Sequence, residues 1–267
     1  MRHVVHTRQP RLPSGLNYSN PLVRGIKFVA IGGIPFNFYN NLPGTLVGSI
    51  TLSAGPHGRT FKTTLSNSNR VDFTNGIIET ISNEHSYGSI FIHDGTSSAL
   101  QYLILKDIGT NTNLFTINGT DKLQISFGAS GNSQSTSAIA INTWTIGSGS
   151  TPPSGVSTYT SANLWINGTQ NAIATGSNSV PAGGVDGNAV YLNGRPADNL
   201  RQLGGEQALS VIWNRVLSNM EHAAFHRNPW QLFNDYYRPM FNDATVSTFN
   251  PAWAVNSTVT IQSRMAA

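Results

Sequence analysis

Apolar and polar side chains alternate one for one along much of this chain. In Leu123-Gln124-Ile125-Ser126-Phe127 the apolar members fall on one side of an extended backbone and the polar members on the other. That is the two-residue period of a half-buried β-strand, not the 3.6-residue period of a helix. Short strand-like runs recur at residues 59–65, 69–74, 87–94, 100–107, 113–118, 121–127, 138–145, 162–167, 170–175, 188–193 and 207–213. Turn signals lie between them. Asn-Gly stands at 75–76, 118–119, 167–168 and 193–194, and this pair accepts positive φ at both centres, as a type I′ hairpin turn requires. Thr116 to Asp121 and Trp165 to Gln170 are therefore predicted hairpins. Many short strands joined by tight turns predict an all-β sandwich, and 267 residues fit one such unit.

The rest of the chain divides around that body. Residues 1–24 read as an N-terminal arm, interrupted by Pro10, Pro13 and Pro21. The sandwich domain spans 25–233, with residues 25–31 as its first strand. Leu46 to Leu52 is a short strand within the loop-rich stretch 32–58. Residues 146–161, built of Gly, Ser, Thr and Pro, read as a flexible loop. One helix is predicted from Asn219 to Arg227: Ser218 caps it, Glu221 completes a capping box, and it stops before Pro229. Residues 234–267 form a C-terminal arm. Its alternating stretch Ser257 to Ile261 serves either as a strand of its own fold or as one added to a neighbour's sheet edge.

Composition bears on partners. Asp, Glu, Lys and Arg make up 10% of the chain against 39% hydrophobic residues. So few charges protect poorly against association, which points to life in an assembly and to a homo-oligomer. The eight basic residues before Asp72 face no acid, while eight bases and twelve acids follow. Arg2, Arg8, Arg11 and Arg24 of the N-terminal arm are thus expected to dock on an acidic neighbour. The bases are too dispersed, and too far from aromatics, for direct nucleic-acid binding. In the other arm, Tyr236, Tyr237, Phe241, Phe249 and Trp253 are expected to anchor an interface. Neither a signal-peptide core nor a membrane-length apolar run is present, so a soluble protein made in a cytoplasm, with no membrane partner, is expected.

Several segments resemble the laminin-G-like, or concanavalin A-like, jelly-roll family. Arg70-Val71-Asp72-Phe73, after Gly58 and Phe61, is similar to an early strand of that family. Asn163-Leu164-Trp165-Ile166-Asn167-Gly168 resembles its "L-Y-V-N-G" hairpin, and Leu192-Asn193-Gly194-Arg195 its "I-G-G-R" segment. Ser210-Val211-Ile212-Trp213-Asn214-Arg215-Val216-Leu217-Ser218 is similar to the "V-x-I-Y-N-R-x-L-S" strand before a short helix. The edges, Gly15 to Leu22 with Gly25 and Asn228-Pro229-Trp230-Gln231-Leu232-Phe233, resemble members encoded by tailed phages and prophages. The resemblance implies a concanavalin A-like sandwich with one short C-terminal helix and extended terminal arms. It further implies a structural virion protein made in the host bacterial cytoplasm, either a capsid decoration protein or a tail or baseplate component. Its partners would be capsid or tail subunits. The alternative is a receptor-binding module that recognises host surface carbohydrate, at residues the sequence does not name.

Enzymatic readings find little purchase. A sandwich-fold glycosidase needs two carboxylates about 5 Å or 6.5–9.5 Å apart across the scissile bond, and no Glu-x-Asp-x-x-Glu run supplies them. Glu79 and Glu84 flank a turn. Gly-x-Ser-x-Gly and His-Glu-x-x-His are both absent. His222 and His226 stand one turn apart on the helix and could share a zinc ion, but no third ligand is near. They are read instead as structural, complementing the helix dipole at its C-terminal end. Asp72, Asp94 and Asp107 are isolated, too sparse for calcium. Trp144, Trp165 and Trp213 are expected in the core, with Trp230 pinning residues 228–233. No catalytic residue, metal or cofactor is therefore expected.

Overall fold

A computed structural model describes residues 9, 15–65, 69–74, 84–95, 100–106, 113–127, 131–151, 162–174, 189–196 and 201–234. These fall in one unit, Met1–Tyr236; a second, Tyr237–Ala267, lies outside the described residues. The strands among them, in chain order, begin with β1 (Ile26–Ile31), β2 (Ile34–Asn37), β3 (Leu42–Pro43), β4 (Thr45–Val47), β5 (Thr51–Gly55) and β6 (Gly58–Thr63). Then come β7 (Arg70–Phe73), β8 (Ser86–His93), β9 (Gln101–Lys106), β10 (Asn113–Ile117), β11 (Lys122–Phe127) and β12 (Gly131–Ala138). The last are β13 (Thr145–Ser150), β14 (Asn163–Ile166), β15 (Thr169–Asn171), β16 (Ile173–Ala174), β17 (Val190–Leu192) and β18 (Gly205–Trp213), followed by the helix α1 (Asn219–Arg227).

The strands build two antiparallel sheets facing each other as a sandwich. The ten-stranded sheet runs β15-β14-β13-β8-β18-β1-β2-β3, with the β5–β6 hairpin joined to β18. The eight-stranded sheet runs β16-β12-β11-β10-β9-β17-β7-β4. Between them lies an apolar interior that includes Phe28, Phe73, Tyr87, Phe91, Phe115 and Leu123. A second apolar layer covers the other face of the ten-stranded sheet, where Val29, Ile90, Val211 and Trp213 meet Phe225, Trp230 and Leu232. β1 and the end of β18 are therefore apolar on both faces and read as continuous runs, whereas β11 has one apolar face and alternates.

Local chemistry explains α1. Ser218 Oγ accepts a hydrogen bond from Glu221 N at 3.3 Å, and Glu221 Oε2 accepts one from Ser218 N at 2.9 Å, which completes the expected capping box. Arg215 pairs with the same carboxylate at 2.7 Å. Burial pushes the Glu221 carboxyl up, but bonds from Arg215 and Ser218 outweigh it and hold it at about 2. His222, Phe225 and His226 are the buried positions, an i, i+3, i+4 stripe facing the sheet.

Three readings from the sequence change. Residues 146–150, read as the start of a loop, belong instead to β13, a buried strand between β8 and β14. Its glycines look flexible in sequence, yet they are needed for packing: a Cβ at Gly149 would lie 2.8 Å from Leu164, and one at Gly147 3.1 Å from Phe91. The Asn-Gly pairs also diverge. At 167–168 both residues have positive φ (48° and 85°), as expected, but near 118–119 the left-handed residue is Asp121, and at 193–194 it is Asn193 alone. The pair at 75–76 lies outside the described residues. Residues 15–24, read as part of an arm, lie in the second apolar layer. Leu16 bridges to Phe233, Asn17 N donates to the Leu232 carbonyl at 2.8 Å, and Trp213 Nε1 donates to the Leu22 carbonyl at 2.7 Å. The prolines masked the apolar content of Leu16, Leu22 and Val23, which is what buries this stretch.

Candidate functional site

The second apolar layer occupies the outer face of the ten-stranded sheet, which leaves the outer face of the eight-stranded one as the candidate ligand surface. There, Val71 and Phe73, Phe115 and Ile117, Leu123 and Ile125, and Val190 and Leu192 point into the sandwich. Alternation turns Arg70, Asp72, Tyr102, Leu105, Thr116, Gln124, Ser126, Gln134 and Tyr191 outward. Register aligns them in two rows. One runs Asp72, Tyr191, Leu105; the other runs Tyr102, Thr116, Gln124, Gln134.

The centre of this face is closed and its rim is half open. Tyr102, Leu105 and Thr116 are buried, while Arg70, Asp72, Gln124, Gln134 and Tyr191 are half-buried. Leu100 and Tyr191 pack on Tyr102 and Leu105. Arg70 Nη2 donates to Asp72 Oδ2 at 3.1 Å, and the charged Nε lies 2.8 Å from Oδ1. Burial still pushes the Asp72 carboxyl up, against the opposing pull of Arg70. Gln124 Nε2 donates to Ser126 Oγ at 2.9 Å, and Arg201 Nη1 donates to Tyr102 Oη at 3.4 Å. Thr116 Oγ1 is buried without a hydrogen-bond partner among the described residues. Such an orphan costs about 1–3 kcal/mol. At the half-open rim, the Tyr191 ring, the Gln124 and Gln134 amides and the Arg70–Asp72 pair are groups that can hold a polyhydroxylated ligand, with apolar contact from the ring and directional bonds from the rest.

A second polar cluster lies under α1, where the sequence drew attention to His222 and His226. Ser148 Oγ sits 2.7 Å from His222 Nδ1 and 2.8 Å from His226 Nε2. Ser150 Oγ lies 2.7 Å from His222 Nε2, and Gly168 N donates to His226 Nδ1 at 2.9 Å. All four ring nitrogens are thus engaged. Trp165 stacks on His222 with ring centroids 5.8 Å apart. The structural reading of the pair stands, but its reason changes. Burial lowers His222 to about 4, with Glu221 opposing and Arg215 adding to it by smaller amounts; burial, and to a lesser extent His222, lowers His226 to about 3. Both rings are neutral at pH 7 and cannot serve as charges at the helix end. The cluster resembles a Ser–His pair in composition, but both serines are fully buried and no carboxylate bonds to either ring, so it lacks the exposed nucleophile and oriented base of a hydrolase.

Of the residues expected at interfaces, Arg24 is exposed, beside a shallow recess of about 330 Å³ lined by Tyr18, Pro21 and Val23. Arg2, Arg8, Arg11, Tyr236, Tyr237, Phe241, Phe249 and Trp253 lie outside the described residues. Trp213 is fully buried, Trp165 and Trp230 nearly so, and Trp144 is half-buried. Among the described residues no three His, Asp or Glu side chains gather as a metal site. Sequence reasoning missed Ser148 and Ser150 because they sat in a presumed loop. Their signal was the one-for-one alternation Gly147-Ser148-Gly149-Ser150. It also missed Thr116, Gln124, Gln134 and Tyr191, whose common face follows from alternation only once register is known.

No protein-family model matches the sequence, and no curated protein matches it. Solved structures do. The chain is similar to domain 4 of AbnA, a GH43 extracellular arabinanase from Geobacillus stearothermophilus, solved in complex with arabinotriose: TM-score 0.57, 15% identity, 75% of this chain and 98% of that one. It is similar to Trypanosoma rangeli sialidase in complex with sialic acid (TM-score 0.57, 13% identity), over 87% of this chain but 37% of the sialidase. It is also similar to the binding domain of Paraclostridial Mosquitocidal Protein 1 (TM-score 0.55, 11% identity), over 77% of this chain and 52% of that one. At these identities the likeness is one of fold: a lectin-like β-sandwich.

Proposed function

We propose that this chain is a non-enzymatic recognition module that binds carbohydrate on the outer face of its eight-stranded sheet and is carried on a tailed-phage particle by its two ends. The observation behind the carbohydrate reading is the half-open rim of the two cross-strand rows, where Tyr191, Gln124, Gln134 and the Arg70–Asp72 pair surround the buried Tyr102 and Thr116. Fold-level support comes from a neighbour solved with arabinotriose and one named as a binding domain. The single carboxylate in those rows, Asp72, is held by Arg70, which leaves no acid–base pair there for glycoside hydrolysis.

The particle reading rests on the resemblance of residues 15–25 and 228–233 to phage-encoded proteins. These two segments pair with each other through Leu16 and Phe233, so they form one element of the outer layer. Capsid or tail subunits would be the partners of those ends, and avidity in a symmetric assembly would compensate for weak single contacts.

A bacterial glycan array probed with the purified protein tests the first part. Binding that falls about ten-fold or more in Tyr191→Ala and Gln124→Ala at unchanged melting temperature supports it. Indifference of a positive array signal to both variants would move the site elsewhere, and an array with no signal would sink the carbohydrate reading. Deleting residues 240–267 tests the second part: particle incorporation should be lost, and unchanged incorporation argues against it.

A further inference from the structure

The hydrogen bonds under α1 have a direction, and that direction has consequences for pH independent of any ligand. Its two ends are backbone groups with fixed roles. Gly168 N–H can only donate, so His226 Nδ1 must accept, and the proton of that ring sits on Nε2. His226 Nε2–H then donates to Ser148 Oγ, whose own proton goes to His222 Nδ1. His222 Nε2–H donates to Ser150 Oγ, Ser150 donates to Ser86 Oγ at 2.7 Å, and Ser86 ends the chain on the Arg215 carbonyl at 2.7 Å. Leu217 N–H adds a donation to Ser86 Oγ at 3.0 Å. Each ring and each hydroxyl donates once along this chain, which has both imidazoles neutral and both carrying their proton on Nε2.

We infer that acid unfastens α1 and the Asn167–Gly168 turn from the ten-stranded sheet while the sandwich beneath stays folded. A proton can enter only at an Nδ1. At His226 it would meet Gly168 N–H, donor against donor. At His222 it would meet Ser148, whose hydroxyl would have to turn from its acceptor. The groups facing the two rings offer little relief. From β13 they are Ser148 and Ser150, both neutral; from β14 and its turn, Trp165 and Gly168. From β8 comes Ser86, and the neighbouring His85 packs its ring on Tyr87 instead. On α1 the nearby carboxylate, Glu221, is already paired with Arg215. The interior between the sheets is apolar, including Phe28, Phe91, Phe115 and Leu123, so protonation strikes the outer layer and spares the sandwich. That layer also carries residues 15–24 and 228–233, so its release would reach those two segments.

Amide hydrogen exchange on the full chain, corrected for intrinsic rates, tests this between pH 7 and pH 3. As pH falls from about 6.5 towards 4, protection at Gly168 and across α1 should drop about ten-fold or more and vanish first, while β8 and β18 remain protected. Loss of protection at one common midpoint would mean global unfolding and would overturn the inference. His226→Gln keeps an acceptor for Gly168 and a donor for Ser148 without a titrating ring, and should shift the loss to lower pH. A profile identical to the parent would also overturn it. Nitrogen-15 spectra of the imidazoles in the unaltered protein give an independent check. Both rings must be Nε2–H tautomers at pH 7, and an Nδ1–H tautomer on either one refutes the scheme.

Discussion

Replacing Ser148 by alanine isolates the contribution of one hydroxyl to the fold. Its Oγ lies 2.8 Å from His226 Nε2 and 2.7 Å from His222 Nδ1 in a fully buried setting, accepting from the first and donating to the second in the hydrogen-bond scheme above. The substitution removes one oxygen and changes apolar packing very little. It strands a buried N–H on His226 and a buried lone pair on His222. Each orphaned group costs about 1–3 kcal/mol, so the loss should be about 2–6 kcal/mol, the upper part of the range applying where no water enters. Urea denaturation at pH 7, followed by tryptophan fluorescence, reads it as a lower midpoint at unchanged slope. Ser137→Ala, at an exposed position of β12, is the control and should stay within about 0.5 kcal/mol. A Ser148→Ala loss no larger than the control would refute the bridge, because two stranded buried partners cannot be free of cost.

Stability should also follow pH with a predictable sign. The rings of His222 and His226 titrate near 4 and 3 when folded against 6.5 when unfolded, so the unfolded chain takes up protons first. Stability is then full above about pH 6.5 and declines towards pH 3, by about 2 kcal/mol per ring at pH 5, measurable as a pH series of urea midpoints. Glu221 adds a later loss as pH falls from 4.5 through about 2. Glu221→Ala breaks the capping box and the Arg215 pair, and should cost about 1 kcal/mol at pH 7, read from the same midpoints. Gly205→Ala should be far more damaging: the residue has φ +148°, and the new Cβ would lie 2.0 Å from the Ile92 carbonyl oxygen. Separating β18 from β8 there should cost about 3 kcal/mol or more, and a melting temperature unchanged in calorimetry would contradict the stated contact.

What local sequence determined here is whatever depends on near neighbours along the chain. Alternation set the faces of β11 and β10, and a serine with a glutamate three positions on, followed by a proline, bounded α1 to the residue. The type I′ turn at Asn167-Gly168 was legible for the same reason. Tertiary structure decided the rest. Gly147 and Gly149 belong to a central strand because Phe91, Leu123 and Leu164 fill the space where side chains would stand, and none of these is adjacent in sequence. His222 and His226 are neutral because a layer of other segments removes them from water, so the charge that a helix end would favour is never formed. Leu16 and Phe233 meet across the whole length of the domain. The outer face with Tyr191 and Gln124 exists only through strand register. Periodicity tells a side chain which way to point, but its surroundings, and hence its protonation and its partners, are set by strands that arrive from far away.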